Sequence, residues 1–231
     1  MKLVDEENGT REDNERSFFL FREVGGSRFL LYGLLIAIFF IFGNGMMLAS
    51  AKPVIYLYPD QTMDVFVYLD YNGNLECTWP VYEDCWRVKA YPDGTLISHT
   101  DNNEYSYLFW EGKTNAIKYD FSKGFVIRGA DTAVFLQKTL AQMGLTPREY
   151  NEFIVYWAPL MQDNAWNLIS FQDVNYTENA VLTIEPRPDS ILRVYMAFKP
   201  LVYPIVVPPQ EFAPFERKGF TVVEWGGCAV K

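Results

Sequence analysis

The residues best placed to do chemistry are carboxylates set beside large rings. Trp110-Glu111 and Glu224-Trp225 each put an acid against an apolar group, and Asp131 opens a run with helical spacing. An apolar neighbour desolvates a carboxylate and raises its pKa, which suits an acid catalyst or a ligand clamp. Two such groups roughly 5–9.5 Å apart across a cleft would have the geometry of a glycoside hydrolase. The reading these sequences favour is plainer: carboxylates bonded to nearby backbone in glycine-containing turns, with Asp131 at a helix N-cap.

Nucleophilic chemistry finds less support. The chain has no Gly-x-Ser-x-Gly elbow and no phosphate-binding glycine loop. Its single histidine, His99, begins the polar stretch His99-Thr100-Asp101-Asn102-Asn103-Glu104, which reads as an exposed loop. Neither that stretch nor Asp70-Tyr71-Asn72-Gly73-Asn74 has the ligand spacing of a calcium-binding EF-hand loop. One histidine and three cysteines exclude a histidine-rich metal centre and a four-cysteine zinc site, so no metal and no cofactor is expected. A formal charge of -9 and a pI near 4.7 exclude a nucleic-acid binder, which needs a basic stripe to meet phosphates.

Cys77 and Cys85 fall on either side of a short segment between consecutive predicted strands. In an oxidising compartment a cross-hairpin disulfide between them would contribute about 2–3 kcal/mol, with two buried free thiols as the alternative. Cys228 is left over, either free or pairing with another chain. Asn175-Tyr176-Thr177 is a glycosylation acceptor sequence. The 18 Phe, 15 Tyr and 6 Trp are many for one chain. They suit ring stacking on a glycan or a Tyr- and Trp-rich protein interface, although filling a β-rich core is the favoured account.

Strand signals hold most of the chain. An apolar-aromatic run ended by Pro59-Asp60 marks a strand at 54–58, alternation marks another at 65–69, and Asn72-Gly73 marks a type I′ hairpin returning through Leu75, Cys77 and Trp79. Pro92-Asp93-Gly94-Thr95 is a tight turn between 86–91 and 96–97, so that residues 53–112 read as a β meander. Val134, Phe135, Leu136, Leu140 and Met143 then predict a helix ended by Gly144. Thr146-Pro147-Arg148-Glu149 is a capping box for a second helix ending near Glu152. Further strands are predicted at 153–157, 167–171, 180–184 and 191–198, and prolines at 200, 204, 208, 209 and 214 predict extended coverage of the sheet. The fold class is α+β, mainly antiparallel, with one or two short helices.

KPVIYLYP at 52–59, PDGTL at 92–96, YLFWEG at 107–112, NEFIVYWAPLM at 151–161 and NLISFQ at 167–172 form an ordered set. RPDSILRVYMAFKPL at 187–201 and RKGFTVVEWGG at 217–227 complete it. The set resembles a widespread family of uncharacterised secreted or membrane-anchored microbial proteins. The resemblance implies a single intact extracytoplasmic domain and carries over no catalytic or ligand residue.

Ahead of that domain, residues 29–49 carry no charge and would span about 31 Å as a helix, close to the thickness of a bilayer core. Arg22 and Arg28 precede the run and Lys52 alone follows closely, which predicts a cytoplasmic leader at 1–28, disordered for want of apolar residues in its first 17 positions, and an extracytoplasmic domain at 52–231. The favoured form is an uncleaved signal anchor in membrane lipid; the alternative is cleavage after Ala51 and secretion. The expected function is a membrane-anchored recognition or structural domain without an evident catalytic site, its aromatic surface meeting a protein or glycan. A hydrolase using two of Glu111, Asp131 and Glu224, or an accessory subunit of a membrane protein complex, are the alternatives.

Overall fold

The computed structural model describes residues 49–230. They build two β-sheets and a pair of helices in three layers. Sixteen segments carry the fold, beginning with β1 (Ala49–Ala51), β2 (Val54–Tyr58), β3 (Met63–Tyr71), β4 (Asn74–Trp79) and β5 (Trp86–Ala90). Next come β6 (Leu96–Ser98), β7 (Glu104–Tyr105), β8 (Leu108–Thr114) and β9 (Phe125–Arg128), then helices α1 (Thr132–Met143) and α2 (Pro147–Met161). β10 (Trp166–Gln172), the single turn α3 (Val174–Thr177), β11 (Ala180–Glu185), β12 (Ser190–Leu201) and β13 (Thr221–Ala229) complete the order.

The larger sheet runs β9-β10-β12-β13-β2-β8-β4, with β1 continuing the ladder of β2 along the same edge of β8. β12 and β13 pair in parallel, and the other neighbours are antiparallel. The smaller sheet, β11-β3-β5-β6-β7, is antiparallel throughout. The α+β class with mainly antiparallel sheets and two helices thus matches the sequence reading.

The central strands are apolar on both faces because both faces are covered. Along β2, Val54 and Tyr56 join the core under the helices, while Ile55 and Leu57 join the core between the sheets. β12 divides the same way, with Val194, Met196 and Phe198 toward the helices and Tyr195 and Ala197 toward the smaller sheet.

α2 differs from its prediction. Its capping box is present, with Thr146 N donating to Glu149 Oε2 at 2.8 Å and Glu149 N donating back to Thr146 Oγ1 at 3.5 Å. The helix then runs on to Met161 through the segment 153–157 that sequence alone predicts as a strand. Phe153, Trp157 and Met161 recur every four residues and are all buried, each worth about 2–3 kcal/mol of burial, and this face overrides the strand preference of the local residues. α1 begins and ends where predicted, and Gly144 takes the left-handed conformation that closes it.

The predicted meander is also corrected. β3 and β4 do not pair: β3 lies in the smaller sheet and β4 at an edge of the larger one. Gly73 is therefore not the positive-φ residue of a hairpin turn. A Cβ there would stand 2.5 Å from the Lys113 carbonyl oxygen, so close backbone approach is what requires glycine. Gly94, by contrast, has φ 89° in the tight turn predicted for it.

The change of sheet also removes the predicted disulfide. Cys77 is on β4 in the larger sheet, whereas Cys85 is buried next to β5 in the smaller one, and all three cysteines are free thiols. Among the described residues no helix is long and apolar enough to cross a membrane. Ala49, expected to end the predicted span, pairs as a strand with Thr114; the leader 1–28 and the rest of that span lie outside the described residues.

Candidate functional site

The carboxylates singled out by sequence go to three separate places. Glu224 is buried between the sheets, where its Oε1 accepts from Tyr176 Oη at 3.0 Å and its Oε2 from Arg193 Nε at 2.6 Å. The guanidinium also donates to the Ala180 carbonyl at 2.6 Å and lies 5.0 Å from the centroid of the Tyr176 ring. Burial works against the Arg193 charge, but Glu224 and Tyr176 outweigh it and hold the guanidinium firmly protonated. Asp131 is exposed at the start of α1, makes no side-chain cap and pairs with Arg128 at 2.8 Å. Glu111 alternates with Trp110, which faces the intersheet core, and forms an ion pair with Lys52. Glu111 and Glu224 thus leave the larger sheet on opposite faces, and Asp131 joins neither.

The remaining sequence candidates are equally dispersed. His99 is exposed and its Nε2 meets Asp64 Oδ1 at 2.8 Å. Asn175 is exposed on α3, where its carbonyl accepts from Asn179 Nδ2 at 2.9 Å. Cys228 is sealed in the intersheet core beside Tyr119 and Tyr195, and burial pushes its thiol up to about 11. Among the described residues no group of three or more His, Cys, Asp or Glu could hold a metal ion.

What the fold does assemble is a groove of about 770 Å³ on the helix side of the larger sheet. Small-molecule sites fall roughly between 300 and 1,000 Å³, so its size is that of a ligand site. Lys52 enters from the link between β1 and β2, Val54 from β2, Cys77 and Trp79 from the edge strand β4, and Phe109 from β8. Glu152, Val155 and Tyr156 descend from α2, one helical turn apart in the spacing that puts side chains on one face. Trp225 of β13 and the loop residues Ser106 and Tyr107 close it.

Two of its rings are partly exposed, and each has one ring partner. Trp79 is 58% exposed although its ring packs edge-on against Tyr105 at 5.7 Å. Tyr156 is 41% exposed and packs edge-on against buried Trp157 at 4.8 Å. Such partners fix ring orientation and leave part of each ring exposed.

A polar relay lies beneath. Trp225 Nε1 donates to Tyr56 Oη at 3.2 Å, and Tyr56 Oη donates to Glu152 Oε2 at 2.5 Å. Burial raises the Tyr56 phenol well above its usual pKa, and Glu152 adds to the effect, so the phenol stays a neutral donor at physiological pH. Glu152 Oε1 forms an ion pair with Arg148 Nε one helical turn away at 3.6 Å, longer than a hydrogen bond. Burial, the largest influence on Lys52, disfavours its charge, yet Glu111 and Tyr156 more than offset it and raise the ammonium pKa.

Sequence reasoning missed Lys52, Tyr56, Trp79, Glu152 and Tyr156 as a set. Tyr56 and Trp225 are 169 positions apart, and no local spacing links them.

The chain is 45% identical over 64 residues to a protein of Butyrivibrio fibrisolvens described as an uncharacterized protein in the bglA 3' region. The match covers 26% of this chain and 65% of that protein. No family model matches, and neither does any solved structure.

Proposed function

We propose that the domain is a recognition module and that the groove between α2 and the edge of the larger sheet is its ligand site. The observation that carries this reading is the coincidence of two partly exposed rings, Trp79 and Tyr156, with the groove of about 770 Å³. Contiguous exposed apolar surface marks interaction sites, and a concave apolar surface with a few polar groups is the usual form of a binding site. The charges at the groove are already matched within the protein, Lys52 with Glu111 and Glu152 with Arg148, while the neutral Tyr56 phenol donates to Glu152. That arrangement suits holding a ligand in place more than attacking it.

Ligand-observed NMR with a small-fragment library tests the reading on the full-length protein. Fragments should bind in competition with one another, and Trp79→Ala should abolish most of the hits while leaving the circular dichroism spectrum unchanged. A bulky maleimide placed on Cys77, which lines the same groove, should displace them as well. Hits that ignore both changes would rule the groove out. Steady hydrolysis of a glycan, peptide or ester substrate that is lost in Glu152→Gln would instead make the domain an enzyme.

A further inference from the structure

Resting on that assignment of the groove, we infer that its ligand is an oligosaccharide of neutral sugar rings. The inference comes from what the groove offers at once: ring faces, one charged acceptor and little net charge. Trp79 and Tyr156 are 58% and 41% exposed at the groove, and an exposed aromatic ring attracts the apolar C–H face of a pyranose. Glu152 has its Oε2 occupied by Tyr56, while Oε1 holds Arg148 only as a 3.6 Å ion pair and, with the side chain 37% exposed, keeps room to accept a hydrogen bond. A hydroxyl group donating to that oxygen forms a charge-assisted bond, roughly twice as strong as a neutral one.

Other ligand classes fit less well. An anionic ligand would meet the Glu152 carboxylate, and Lys52 is already neutralised by Glu111. A cationic ligand has no open acidic cluster to enter, because Glu152 is shared with Tyr56 and flanked by Arg148. An amphipathic helix could cover the rings, but its backbone N–H groups are spent internally, and its apolar face would desolvate Glu152 without a donor. A sugar chain supplies the apolar face and the O–H donor together.

The test uses the full-length protein with cellohexaose, xylohexaose, mannohexaose, chitohexaose and maltohexaose, together with hexagalacturonate and an amphipathic Leu-Lys peptide. Binding is read by tryptophan fluorescence and by saturation transfer to sugar ring protons. At least one neutral hexasaccharide should bind, Trp79→Ala should weaken it at least tenfold, and Tyr156→Ala severalfold. Glu152→Gln should weaken it about fivefold, because the amide oxygen still accepts without the charge. Hexagalacturonate should bind at least tenfold more weakly than the best neutral chain. Two variants on different elements keep the test valid should one of them misfold. If no neutral hexasaccharide binds while the peptide does, in a Trp79-dependent way, the sugar assignment falls and the groove remains a recognition site. If hexagalacturonate binds best, the charge argument and the neutral-sugar assignment fall. If nothing binds and the fragment hits also ignore Trp79, both readings fall together.

Discussion

The two faces of the larger sheet use the same three side-chain types to opposite ends. Between the sheets, Glu224, Arg193 and Tyr176 form a closed triad in which the acid is 1% exposed. On the helix side, Glu152, Lys52, Tyr56 and Tyr156 stand around an open groove. A carboxylate, a cation and a phenol are therefore no guide to function by themselves. In the triad each carboxylate oxygen has a partner and solvent is excluded, so the group can only hold the sheets in register. In the groove the ion pairs Lys52–Glu111 and Arg148–Glu152 stay partly exposed to solvent, which leaves them open to the proposed ligand.

The sharpest way to break this comparison is to remove the Arg193 charge. Arg193→Met leaves Glu224 buried and uncompensated, and the expected cost is about 3–5 kcal/mol, read as a lower urea midpoint. Adding Glu224→Gln should recover much of that loss, because a buried ion pair contributes little net stability once both charges are gone. A single-variant cost below about 1 kcal/mol would mean that the triad is wet, and the contrast between the two faces would disappear.

An alkaline titration probes the same sealed face. The Cys228 thiol is raised by burial from 9.0 to about 11, so the folded state holds its proton more tightly than the unfolded chain. Its contribution, about 3 kcal/mol from the proton linkage, is fully present below pH 9 and is lost as pH rises through about 11. Buried tyrosines add their own alkaline slope, so the readout is the difference between the native chain and Cys228→Ala. The native chain should lose stability faster between pH 9 and 11. Parallel slopes would place Cys228 in contact with water.

Which parts could be read from the sequence follows from the range of the forces involved. α1 and the strands β10 to β12 carry their own periodicity and turn signals, and their positions agree with the sequence reading. α2 past Glu152 does not, because Phe153-Ile154-Val155-Tyr156-Trp157 has strand-like composition, and its helical face shows only when the larger sheet lies beneath it. The Asn72-Gly73 turn was legible as a turn, but not as a crossing between sheets, which is set by Lys113 and Asn179 far along the chain. The groove has the same origin. Lys52, Trp79, Glu152 and Trp225 become neighbours only through strand order, and the aromatic excess hinted at a ligand surface without locating it.

The groove side should tolerate the loss of its ion pair far better than the triad does. Lys52 and Glu111 keep 25% and 23% of their side-chain surface in contact with solvent. A double-mutant cycle with Lys52→Met and Glu111→Gln should give a coupling of at most about 1 kcal/mol, shrinking in high salt. A coupling near the triad's value would show that the groove is as closed as the intersheet core.

The smallest effect on stability, and the cleanest contrast in access, belongs to the thiols. Cys77 is exposed, whereas Cys85 and Cys228 are 5% and 0% exposed. A thiol reagent on the native protein should modify one cysteine, Cys77, within minutes, with the other two reacting only as the chain unfolds. Reductant should leave the urea midpoint unchanged, and Cys77→Ser should shift stability by less than about 0.5 kcal/mol, as for a surface substitution away from any cap or core. A bridge from Cys77 to Cys85 would reverse each of these results. The native protein would offer no fast thiol, its intact mass would fall by two hydrogens, and reductant would lower its stability by about 2–3 kcal/mol. Such an outcome would require β4 and β5 to lie side by side, and that pairing would pull Trp79 off the edge of the larger sheet and dismantle the groove.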